Sequence, residues 1–354
     1  MPNTSKGKVL MAYKLGTSYF STRILPHALK DLKEIKKQKC TFVLHTFDEL
    51  DLYYNLDNMK RITAMTHKLG LEVYYSPWAI GGVFGGECYS RFVMMHPDAL
   101  QVLSTGEVVG NACLRHPKFR DYIKSWIEAC NYAGGDVLFW DEPHLWIAEW
   151  NERVTKKDEF ACRCSVCQVD FQKRFGKTYP TVWTDEIEVF RDETLVEFLA
   201  FATSTTKKVN PKLRNAICLL PNDDRWPNPM WENLAKLPGV EILATDPYWK
   251  QRPFATGPRV PLEGFVDKFA GRIADIAKRH KKEAQGWIQL FGLAKAHEKD
   301  ITQALEMWEK AGVKNIAAWG YMACESYSLL ASERTRECWK RMGAYYKKLS
   351  KKKK

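Results

Sequence analysis

The chain has 354 residues, 45% hydrophobic and 27% charged, enough for one large soluble domain or two ordinary ones. It contains no apolar run of about 18 residues, which excludes a transmembrane helix. The N-terminus MPNTSKGKVLMAYKLG lacks the apolar core of a signal peptide, so residence in the cytoplasm is the expectation. Of the net charge of +12, six positive charges fall in the last eight residues, KKLSKKKK, read as a solvated, disordered tail over 347–354. No basic and aromatic ladder or nucleic-acid motif appears, so neither nucleic acid nor a membrane is an expected partner.

Taken in chain order, short apolar runs alternate with longer amphipathic stretches. The runs predict strands at Lys8–Tyr13, Thr41–Thr46, Glu72–Pro77, Asp136–Asp141, Asn215–Leu220, Glu241–Thr245, Ala284–Leu290 and Asn315–Gly320. Between them, helical spacing appears at Asn58–Lys68, Lys118–Tyr132, Glu186–Val209, Leu262–Lys281, Lys299–Ala311 and Ser332–Lys348. Several helices run into Gly (Gly70, Gly134, Gly312), which suits a left-handed C-terminal cap. Eight strands alternating with helices predict an α/β fold, a (β/α)8 TIM barrel over residues 1–346 with long loops on its C-terminal face. An open doubly wound sheet is the alternative, weakened by the absence of a glycine-rich nucleotide loop.

Barrel enzymes carry their sites where strands end. The predicted strand ends hold Trp78, then Trp140-Asp141-Glu142-Pro143-His144, Asp223-Asp224-Arg225-Trp226, Asp246-Pro247-Tyr248-Trp249, Trp287-Ile288-Gln289, and Trp319 through Glu325. Carboxyls in a pocket can be tuned as acid, base or nucleophile, and aromatic faces stack on sugar rings. Trp78, His144, Trp249, Trp287, Gln289, Trp319 and Glu325 are therefore candidate substrate contacts. Adjacent strand residues point oppositely, so Asp141 and Glu142 can share the cleft only where the strand end twists or bulges. Cys162-Arg163-Cys164-Ser165-Val166-Cys167 has metal-ligand spacing.

Three pieces within residues 113–176 resemble the retaining (β/α)8 glycoside hydrolases, particularly the family 42 β-galactosidases. They are Cys113-Leu114-Arg115-His116-Pro117-Lys118-Phe119-Arg120, Asp141-Glu142-Pro143, and the cysteine triplet with Phe171 and Arg174-Phe175-Gly176. The resemblance implies a structural Zn2+ held by Cys113, Cys162, Cys164 and Cys167, with Cys88 as the substitute fourth ligand. It also implies Glu142 as the general acid/base. The chain departs from that pattern twice: Asp141 stands where the family has Asn, and strand 7 carries Gln289 where the nucleophilic Glu belongs. Asp246 is the preferred second carboxylate, an arrangement similar to α-galactosidase-type barrels; Glu325, Asp48 or Glu49 are alternatives.

The expected activity is hydrolysis of an oligosaccharide or glycoside by carboxylate catalysis, with association into a homo-oligomer left open. A catalytically inactive carbohydrate-binding barrel is one alternative. A metal-dependent sugar isomerase or lyase using His45, Asp48, Asp246 and Glu325 is another.

Overall fold

A computed structural model describes residues 12–148, 159–222, 228–249 and 260–352. Eight parallel strands close into a barrel: β1 (Lys14–Tyr19), β2 (Phe42–Thr46), β3 (Glu72–Ser76), β6 (Val137–Trp140), β7 (Arg214–Leu219), β8 (Ile242–Thr245), β9 (Glu283–Gln289) and β10 (Asn315–Trp319). The remaining two strands, β4 (Leu100–Val102) and β5 (Val108–Ala112), form a small antiparallel hairpin in the loop after β3. The ring closes where β1 pairs with β10, Lys14 opposite Asn315 and Thr17 opposite Ala318.

Eleven helices are described, most of them around the barrel: α1 (Leu25–Lys37), α2 (Glu49–Tyr54), α3 (Leu56–Lys68), α4 (Arg91–Met95), α5 (Pro117–Ala133), α6 (Ser165–Phe175), α7 (Asp185–Val209), α8 (Asn228–Ala235), α9 (Val266–Arg279), α10 (Glu298–Lys310) and α11 (Thr335–Lys351). Gly134 caps α5 in the left-handed conformation that glycine adopts without steric cost.

The period of two along each strand sorts side chains between two compartments. Phe42, Leu44, Tyr74, Val137, Phe139, Ala216, Cys218, Ile242, Ala244, Trp287 and Ala317 fill the barrel interior. Val43, Val73, Leu138, Trp140, Ile217, Leu243, Ile288 and Ile316 face the helices. Phe42 and Tyr74 stack inside with ring centroids 4.5 Å apart. Gly16 of β1 leaves the space the Phe42 ring occupies.

Two expectations change. The first strand is Lys14–Tyr19, not Lys8–Tyr13, of which residues 8–11 lie outside the described residues. Its inward positions are Gly16 and Ser18, small and polar, so the more apolar run upstream carried the stronger strand signal. The C-terminal helix runs through Lys351, past the tail boundary expected at residue 346. Tyr346 and Leu349 are fully buried, the Tyr346 hydroxyl donates to Gly16 O at 3.0 Å, and Lys352 pairs with Glu309. Lys347, Lys348 and Lys351 lie on the outer face of a helix whose inner face packs on the barrel.

Leu349→Ala is therefore expected to lower stability by about 2–5 kcal/mol, the usual cost of emptying a buried leucine site. Urea unfolding midpoints measure this; a change within error would mean the segment is the loose tail read from the sequence.

Candidate active site

Asp141 follows the inward-pointing Val137 and Phe139 by the same parity, and so enters the barrel mouth from the end of β6. Glu142 would then point away, but its φ is +41°, in the left-handed region that costs a non-glycine residue roughly 1 kcal/mol. The turn returns its side chain to the same wall. A Cβ placed on Gly85 would lie 3.0 Å from Glu142 Oε2 and 3.4 Å from Asp141 Oδ2. Both carboxyls thus abut Gly85, and a side chain there would press on both. The turn is held by the Gly85 N–H donating to Asp141 O (3.0 Å) and the His144 N–H donating to Val83 O (2.9 Å). His144 Nδ1 lies 2.6 Å from Glu142 O, and burial depresses the imidazole pKa to about 4, so this neutral ring donates to the carbonyl. His144 is thereby a fastening of the Glu142 turn.

Asp246 enters from the end of β8, buried, with its carboxyl in hydrogen-bonding reach of Glu142 and of the Cys218 thiol. Ser76 Oγ donates to Asp141 Oδ2 at 3.4 Å. Burial raises the pKa of all three carboxyls, and the negative charge of Glu142 pushes Asp141 and Asp246 further up. Asp246 Oδ1 is buried without a hydrogen-bond donor among the described residues, as expected if the Glu142–Asp246 contact is completed by a proton. Ser76, Cys218 and Gly85 were not singled out from sequence as site residues. Inward parity identifies the first two, and the Gly81-Gly82-x-x-Gly85-Gly86 pattern was the available signal for the third.

The other candidates divide. Trp78, Trp287 and Trp319 come together at the mouth: ring centroids are 6.2 Å apart for Trp78–Trp319 and 5.9 Å for Trp287–Trp319, with Phe20 5.0 Å from Trp78. Gln289 is buried on the inward side of β9, its amide donating to Phe291 O. Trp249 is buried in the helix-facing core, among side chains packed outside the barrel. Glu325 lies on the rim and pairs with Arg336 at 3.0 Å. Asp48 caps α2, and Glu49 accepts from Ser90 Oγ and the Phe92 N–H. His45 turns outward to Thr66, 3.2 Å away. The four proposed ligands of an open metal site are therefore not gathered. Asp223 through Trp226 lie outside the described residues.

A second cluster joins the loops after β3 and β6. The ligand atoms of Cys113, Cys162, Cys164 and Cys167 are all within 4.8 Å of one another, and all four residues are buried. Cys113 Sγ is 3.5 Å from Cys164 Sγ and 3.6 Å from Cys167 Sγ. Thiolates around one zinc at about 2.3 Å would sit roughly 3.8 Å apart in a tetrahedron, so the donor set fits such an ion. Hydrogen bonds from its neighbours hold the Cys164 thiol far below the usual range, while Cys113 and Cys167 are pushed up. Four sulfurs this close cannot all ionise without a cation among them. Cys88 lies elsewhere, 3.6 Å from Asp48.

No family model matches the sequence, and no curated protein matches it. Solved structures do. The catalytic domain of a β-amylase from Paenibacillus polymyxa aligns over 94% of this chain and 98% of its own, at 9% identity and a TM-score of 0.67. A β-galactosidase from the haloarchaeon Halorubrum lacusprofundi aligns over 95% of this chain at 11% identity and a TM-score of 0.69; this chain spans 58% of that longer protein. An endo-1,4-β-mannanase from Rhizomucor miehei aligns over 95% of both chains at 11% identity and a TM-score of 0.59. The likeness establishes the fold alone, the closed (β/α)8 barrel. Among the described residues no helix is long and apolar enough to cross a membrane.

A carboxyl whose pKa is raised on folding binds its proton more tightly in the folded state. Its neutral form is accommodated below the unfolded pKa, and stability is lost as pH rises through the folded value. Asp246→Asn is expected to be more stable than the parent at pH 8, with the difference vanishing toward pH 4. Parallel urea melts at the two pH values test this; equal midpoints at pH 8 would remove the argument for a strained carboxyl cluster.

Proposed function

We propose that the chain is a glycoside hydrolase whose reaction is carried by Glu142, Asp141 and Asp246. The observation that supports it most is the convergence of three carboxyls, two buried and Glu142 half-buried, with raised pKa values at the C-terminal end of the barrel. Carboxyls in contact cannot all ionise, so the Glu142–Asp246 pair holds a proton near neutral pH. The charge of Glu142 keeps that proton on Asp246; it passes through Glu142, the more exposed of the two, to the glycosidic oxygen as the bond to the anomeric carbon breaks, leaving Asp246 ionised. Asp246, or Asp141 once ionised, then takes a proton from the water that attacks that carbon. Trp319, backed by the buried Trp78 and Trp287, supplies an apolar face for the sugar ring, and Gln289 supplies an amide at the position where a carboxylate nucleophile is missing. Trp249, His144 and Glu325 stay further from the chemistry in this reading, as packing, positioning and rim residues. The substrate is an oligosaccharide or glycoside.

Gln289 also favours a second reading, a carbohydrate-binding barrel without catalysis. The two part on a panel of α- and β-aryl glycosides. Hydrolysis of at least one is expected, reduced about 10²–10⁴-fold by Glu142→Gln with folding intact. The rate should fall as pH rises and the acid loses its proton. No turnover across the panel would sink the hydrolase reading and leave the binding one.

We also propose that the four cysteines hold one structural Zn2+, pinning the β4–β5 loop to the segment before α6. Support comes from the closed, buried sulfur set and from strand-like contacts joining the same loops, with Arg163 N–H donating to Val102 O and Ser104 N–H to Phe160 O. Elemental analysis of purified protein is expected to find one zinc per chain, lost in Cys164→Ser together with a lower melting temperature. A metal-free parent protein of unchanged stability after chelation would refute it.

A further inference from the structure

Outside the barrel, α1 and α11 flank a groove of about 860 Å³, within the range of pockets that enclose a drug-sized ligand (about 300–1,000 Å³). Its floor includes Leu29, Met322 and the edge of Trp339, and its lining carries six cations against two carboxylates. The carboxylates are already engaged. Asp31 accepts hydrogen bonds from the hydroxyls of Tyr19 and Tyr321, both at 2.9 Å. Glu34 accepts from Gln38 and from Trp339 Nε1, and Lys37 is 3.7 Å away. Arg336 pairs with Glu325. Lys30, Lys33, Lys340 and Lys347 are exposed and have no carboxylate partner among the described residues. Four unneutralised ammonium groups around an apolar floor form a local anion-attracting field, independent of the overall charge.

The groove is not isolated from the barrel mouth. A further cavity of about 300 Å³ shares Lys30, Asp31, Tyr321, Met322 and Arg336 with it and extends to Ser21, Ser326 and Glu325, the last neutralised by Arg336. Ser21 follows Phe20, whose ring lies 5.0 Å from that of Trp78 and 5.7 Å from that of Trp319. The join between mouth and groove is the turn Met322-Ala323-Cys324, in which all three residues have positive φ (50°, 52° and 62°). Consecutive left-handed non-glycine residues are costly and persist where the surroundings impose them.

We propose that this groove is an accessory site for an acidic polysaccharide, one bearing uronate or sulfate groups, that runs from the barrel mouth across the Met322 turn and down between α1 and α11. The choice of a glycan rests on the hydrolase-fold reading of the mouth; the choice of an acidic one rests on the four lysines. The apolar floor suits pyranose faces, and the lysine rim suits their anionic substituents. The groove offers no exposed aromatic platform for stacking bases, which disfavours a single-stranded nucleic acid.

The test is binding, read by affinity electrophoresis of the full chain in gels containing polygalacturonate, heparin, neutral dextran or a single-stranded oligonucleotide. The parent protein and Glu142→Gln should both be retarded by an acidic glycan, in a salt-sensitive way, and not by dextran. Combined Lys30→Gln, Lys33→Gln, Lys340→Gln and Lys347→Gln should weaken retardation about tenfold. A control with Lys68, Lys173, Lys212 and Lys278 changed to Gln should stay close to the parent. Equal weakening in both variants would mean diffuse charge and overturn the proposal. So would an absence of retardation by either acidic glycan, or equally strong retardation by the oligonucleotide. Because Glu142→Gln is scored for binding alone, failure of the groove and failure of the catalytic reading are separate outcomes.

Discussion

Closure of β1 against β10 is the constraint from which the rest follows. A closed ring of parallel strands has no edge, so each strand must alternate its side chains between one interior and one helical layer. That alternation, continued past the last ladder pair, delivers Ser76, Asp141, Cys218 and Asp246 to a single mouth from four different strands or strand ends. The same parity sends Trp140 to the helices, where its indole donates to Asn215, and His45 to Thr66. Residue types that look alike in the sequence therefore divide into core and site by position alone.

Against that regular frame the mouth is irregular in one place. Glu142 adopts a left-handed conformation so that two neighbouring carboxyls meet one glycine wall. Gathering acids in a dry site opposes folding, because neither their hydration nor full ionisation survives burial. The fold offsets this through the closely packed barrel around the site and the hydrogen bonds of the loop over Gly85. The four-cysteine cluster lies beside that loop system, joining the hairpin after β3 to the segment before α6.

The barrel itself was legible because each predicted strand but the first fell within a residue or so of the observed one, from Thr41–Thr46 against Phe42–Thr46 to Asn315–Gly320 against Asn315–Trp319. The first strand escaped because Gly16 and Ser18, not large apolar residues, face inward opposite the Phe42 ring. The last helix was cut short because a run of lysines reads as a tail when the burial of Tyr346 and Leu349 between them is unseen. The hairpin β4–β5 was missed since its strands are short and its outer residues polar or exposed.

What the amino-acid sequence determined by itself is the alternation of strand and helix, the chemistry available at strand ends, and the spacing of three of the four thiols. Those are local properties, set by periodicity and by neighbours along the chain. Only the tertiary structure decided which acids meet. It brought Asp246 to Glu142, turned Glu142 back beside Asp141, left Glu325 on the rim with Arg336, and carried Cys113 to the triplet. The reason is physical: contact between groups on different strands depends on register, ring closure and the backbone conformation of single residues, none of which a local pattern encodes.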